Sequence, residues 1–160
     1  MSQAEEFDDQ AVQQITENLA NEVEREFKEH IGTVNGEPEF DEAFIKKVIK
    51  SFEEKSTVPQ PGGAGAFASD STSDLSTSYG IAKLHVGQQT FSATSVGVLS
   101  NIPGFSYVRG TLQGWQGYMG RGLPFGYFMV VTSDTKSHCI YVSKTPIKEF
   151  KKGLGLGRWD

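Results

Sequence analysis

Apolar residues fall at Phe7, Val12, Ile15, Leu19, Val23, Phe27 and Ile31, with Glu, Gln, Asn and Lys between them. Steps of three to five positions make one stripe on a helix. Asp8 or Asp9 can cap its start, the early acids suit the positive end of the helix dipole, and Gly32 stops it ahead of a turn-forming run that ends at Pro38. A second stripe, Phe44, Ile45, Val48, Ile49 and Phe52, follows Asp41 as N-cap and Phe40 as staple. Residues 1–55 therefore read as two helices able to form a hairpin. Apolar burial stabilises by roughly 25 cal/mol per Å², and two short helices meeting only each other bury little. The stripes need a further surface: the rest of the chain, a second copy, or another protein.

Residues 56–78 are rich in Ser, Thr, Gly, Ala and Pro, the composition of a flexible linker. Beyond Tyr79 the period changes from 3.6 to 2, and β-branched and aromatic residues alternate with glycine or polar ones. The pattern predicts strands over 79–86, 89–99, 105–113, 126–132 and 138–143, with a short last strand over 154–159. Turns are expected at Gly87-Gln88, from Asn101 to Gly104, and from Ser133 to Lys136. The strand around Tyr127 to Val131 is apolar on both sides and should be covered twice. Short antiparallel strands at this spacing predict a closed barrel or a small sandwich. Sixteen of the 18 glycines follow residue 57, and glycine within strands permits the coiling of a narrow barrel. The predicted architecture is mainly β: a compact antiparallel Greek-key-like β-barrel over 79–160, preceded by an acidic helical segment and the linker.

Charge divides the same way. Residues 1–56 hold 6 Lys and Arg against 15 Asp and Glu, whereas residues 57–160 hold 9 against 5. The net charge of −5 speaks against nucleic acid as a partner of the whole chain. The β half alone can favour an anionic surface, with Lys144, Lys148, Lys151, Lys152 and Arg158 crowded towards its end. A basic n-region, an apolar h-region and an apolar run of about 20 residues are all missing. The expected location is cytoplasmic, or that of a mature secreted form whose leader has been removed.

Candidate chemistry is sparse. The single cysteine, Cys139, excludes an internal disulfide framework, and His30, His85 and His138 lack zinc-ligand spacing. His138 beside Cys139 suggests thiol chemistry, but neighbours in a strand point to opposite faces. The β half has five carboxylates, Asp70, Asp74, Asp134, Glu149 and Asp160, all in expected linker, turn or tail positions, so no paired-carboxylate site is apparent. Neither a nucleophile elbow nor a phosphate-binding loop occurs. No catalytic residue, metal or cofactor is expected. The aromatics Trp115, Tyr118, Phe125, Tyr127 and Phe128 either fill the barrel or meet an apolar partner.

Three stretches carry a resemblance. TFSATSVGVLSNIPGFSYVRGTLQ, YFMVVTSDTKSHCIYVS and the ending GLGLGRWD are similar to a strand, turn and strand, a late apolar hairpin and a glycine-alternating last strand of the Rhodococcus virulence-associated protein family. The resemblance spans about 80 residues. It implies an eight-stranded β-barrel with Greek-key character, without a catalytic site, acting through its surface on membranes or other proteins. The expected function is that of a non-enzymatic interaction protein, with Trp115, Tyr118, Arg121, Lys151, Lys152 and Arg158 as surface contacts. A protein or an anionic membrane is the expected partner, and homo-oligomers can form through the helices. The alternatives are a barrel carrying an apolar ligand, and a hydrolase with His85 or His138 in reach of a carboxylate or hydroxyl.

Overall fold

In a computed structural model the described residues are 9–31, 41–57, 65–68, 73–78, 81–94, 99–110, 112, 116–119, 122–123, 126–132, 137–144 and 155–159. Both helices form where their apolar spacing predicts: α1 over Asp9–Ile31 and α2 over Glu42–Lys55. Asp41 is the N-cap of α2, its Oδ1 accepting from the Phe44 amide at 2.8 Å. No helix among the described residues is long and apolar enough to cross a membrane.

Among the described residues ten strands follow: β1 (Ala66–Ala68), β2 (Ser73–Ser78), β3 (Ile81–Val86), β4 (Gln89–Thr94), β5 (Leu99–Arg109), β6 (Gln116–Met119), β7 (Gly122–Leu123), β8 (Gly126–Thr132), β9 (His138–Ser143) and β10 (Gly155–Trp159). Every pairing is antiparallel. The pairings run β5 to β2, β3, β4, β10, β6, β8 and β9, and β9 pairs with β5 again. In β5-β2-β3-β4, and with β7 set aside in β10-β6-β8-β9, the last strand in sequence lies beside the first.

Two expectations are corrected here. The stretch read as a linker contains β1 and β2, which pair with successive lengths of β5 and bury Ser73 and Leu75. Its polarity hid the strands because one buried position is a serine, whose Oγ meets Ser106 Oγ at 2.6 Å instead of needing an apolar contact. The turn expected from Asn101 to Gly104 instead lies inside β5. Pro103 gives its carbonyl to the Lys144 amide, and Gly104 lets the Tyr141 ring and the Val142 carbonyl come close. The Gly87-Gln88 turn does form, with Gly87 at φ 61° joining β3 to β4. The turn expected from Ser133 to Lys136 lies outside the described residues.

Alternation along the strands sorts side chains into two cores. Leu75, Leu84, Val86, Phe91, Leu112, Cys139, Tyr141 and Trp159 pack together on one side of the sheet, with Phe91 and Trp159 ring centroids 5.3 Å apart. Phe105, Tyr107, Ile140 and Val142 face the other side, where the helices cover them with Leu19, Val23, Phe27, Ile45, Val48, Ile49 and Phe52. The surface the helices need is thus this chain's own sheet, and each such side chain contributes about 1.5–3 kcal/mol on burial. All six residues of β9 are buried, because one face meets the helices and the other meets the second core.

Candidate functional site

The helices divide one face of the sheet into a covered part and an open part. On the covered part, Glu53 of α2 accepts from Tyr107 Oη at 2.6 Å and Arg109 Nη1 at 2.5 Å, clamping the helix to β5. Burial, and next the hydrogen bond to Glu53, raise the Tyr107 phenol above its ordinary value. Nearby, α1 and α2 flank a cleft of about 110 Å³ lined by Glu22, Arg25, Glu26, Glu29, Phe52, Lys55 and Ser56. Its acids have partners within the hairpin. Ser51 Oγ donates to Glu26 at 2.7 Å, Lys55 Nζ lies 3.3 Å from Glu26, and Ser56 and Thr57 donate to Glu22. The hydrogen bond to Glu26 pushes the Lys55 ammonium above its ordinary value. These groups join the two helices to each other.

The open part lies on β2, β3, β4 and β10. In β3 the buried residues Ala82, Leu84 and Val86 alternate with exposed Ile81 and Lys83 and half-buried His85. Register aligns one row across the strands: Ser76 with Lys83, Lys83 with Ser92, Ser92 with Arg158, and Arg158 with Gln116. Directly opposed residues share a face, and neighbouring strands lie about 4.8 Å apart. The backbones of Lys83 and Arg158, both exposed, thus stand about 10 Å apart with Ser92 between them. Two cations beside a small hydroxyl can meet a row of anionic groups.

A second row runs Asp74, His85, Thr90. His85 Nδ1 lies 3.1 Å from Thr90 Oγ1, so a histidine is within reach of a hydroxyl. A hydrolytic relay also needs a carboxylate on the other side of the ring. Asp74 Oδ1 has no hydrogen-bond partner among the described residues. His138 lies edge-on to Phe52 while Cys139 lies in the other core, so the adjacent pair diverges as strand geometry requires. Burial pushes the Cys139 thiol well above its ordinary range. No group of three or more His, Cys, Asp or Glu among the described residues could hold a metal ion.

Of the contact residues expected from sequence, Arg158 is exposed on β10 in the basic row. Tyr118 lies on β6, paired in register with Leu156 and Thr132. Trp115, Arg121, Lys151 and Lys152 lie outside the described residues. Lys83 and Ser92, which share the row with Arg158, are not among the residues the sequence singles out, although the alternation of IAKLHV marks Lys83 as outward once Leu84 is taken as core. Comparison with family models, curated proteins and solved structures gives no match for this chain.

Proposed function

We propose that the protein is a non-enzymatic interaction protein whose strands form a Greek-key β-barrel like that of the virulence-associated proteins it resembles, and whose open outer wall meets an anionic surface. The observation that carries this reading is the Lys83–Ser92–Arg158 row, which lies on the part of the wall that the helices leave uncovered. The circular run of pairings supports the barrel. The filling of its inward side by Trp159, Tyr141, Phe91, Leu75, Leu84 and Leu112, all fully buried, favours contact from the outside over carriage of a ligand within.

Flotation with vesicles of phosphatidylcholine alone and with added phosphatidylserine tests the membrane branch. The full chain is expected to float with the anionic vesicles at low salt and to lose most of that association at high salt, because exposed charges are screened. The double variant Lys83→Glu, Arg158→Glu should remain with the unbound protein under both conditions. Equal flotation of the variant would remove the row from the account. A wild-type chain that stays at the bottom with both vesicles would end the membrane branch and leave an acidic protein surface as the partner.

A further inference from the structure

The helical hairpin packs on the sheet through one apolar cluster, and the strands hold a second cluster on their other side. The cluster around α1 and α2 draws Phe105, Tyr107, Ile140 and Val142 from the sheet, with Phe67 at its margin, and shares no residue with the cluster around Tyr141 and Trp159. Alternation along β5 and β9 produces this division: Ile140 and Val142 face the helices, while Cys139 and Tyr141 face away. The largest fully buried side chains respect it as well. Phe27, Phe52, Leu19 and Ile45 all belong to the helices themselves, and the other six belong to the second cluster. Polar contacts from Ser51, Ser56, Thr57 and Lys55 to Glu22 and Glu26 bind the hairpin internally. Glu53, with Tyr107 and Arg109, joins it to the sheet.

We propose that α1 and α2 form a detachable cover, which lifts from β5, β6, β8 and β9 as one unit while the strands stay folded around Tyr141 and Trp159. Local openings follow cooperative units of this kind, and α1 and α2 pack on each other as well as on the sheet. The Glu53 clamp is the latch, because it is a charge-assisted contact whose donors sit on the sheet and whose acceptor sits on the cover. Lifting bares Phe105, Tyr107, Ile140 and Val142 as a continuous apolar surface that the closed molecule hides. The open wall with Lys83 and Arg158 is untouched by this motion, so the device stands apart from the anionic-surface reading.

Hydrogen exchange of the full chain, read by mass spectrometry across a series of guanidinium concentrations below the unfolding transition, tests the cover. Peptides from α1 and α2 are expected to open at least about tenfold more often than those from β3 and β4. Glu53→Gln should raise helical opening by a further factor of roughly ten, the worth of a charged hydrogen bond, and leave β3 and β4 unchanged. Arg109→Lys, which keeps the charge but not the guanidinium geometry, should give a smaller increase in the same peptides. Helices and strands of the wild-type chain exchanging through one common opening would overturn the proposal, even if neither variant folds. A Glu53→Gln effect spread equally over all peptides would also overturn it.

Discussion

At the level of single residues, close approach and burial decide what can change. A Cβ added at Gly104 would meet the Tyr141 ring and the Val142 carbonyl, neither of which can move without disturbing β9. Gly104→Ala is expected to cost about 1–3 kcal/mol, as overpacking does, and a urea titration would measure it. An unchanged midpoint would mean that the approach is looser than described. The ionisable groups in the interior make a second test. Burial holds the Cys139 thiol and Tyr141 phenol above their ordinary values of 9.0 and 10.0. Their contribution to stability is therefore fully present below about pH 8 and falls as the pH rises, because the unfolded chain loses these protons first. Denaturant midpoints should drop between pH 8 and about pH 10.5. In the native state Cys139 should resist a thiol-reactive dye that labels it at once in guanidinium. Rapid labelling of the folded chain would contradict its burial.

At the level of elements, how much can be read from sequence depends on how much apolar contrast a segment carries. The helices are legible because Ile45, Val48, Ile49 and Phe52 repeat against lysines and glutamates, and the Asp41 cap is as visible as the stripe it precedes. Asp41→Ala should lower stability by about 1 kcal/mol, seen as a shift in the thermal midpoint, by removing the acceptor for the Phe44 amide. β3 and β9 are legible for the same reason. β2 is not, because SDLSTS offers Leu75 as its one large apolar side chain and fills another buried position with Ser73. The start of β5 is hidden by Pro103-Gly104, residues that usually mark a turn, but here the Pro103 carbonyl accepts from the Lys144 amide and Gly104 sits where there is no room for a side chain. The basic row is harder to see than any single element. Lys83, Ser92 and Arg158 are far apart in the chain, and only the registers of three strands make them neighbours.

At the level of the whole molecule, the order of pairing makes the last strand a keystone. β10 lies between β4 and β6, with Trp159 opposite Phe91. A chain ending at residue 154 lacks one of the two seams that join the groups β5-β2-β3-β4 and β10-β6-β8-β9, the other being β5 with β9, and it loses the largest side chain of that core. Large aromatic truncations alone cost about 3–5 kcal/mol, a large part of an ordinary domain's stability. Circular dichroism of the shortened chain should therefore show no cooperative melt, and a sharp transition near that of the full chain would contradict the role given to β10. The double covering of β9 has a consequence of another kind. A strand with one wet side tolerates variation at every other residue, as β3 should at Ile81, Lys83 and His85. His138 to Ser143 offers no such slack, so in a saturation library these six consecutive codons should form an unbroken block intolerant of charged replacements.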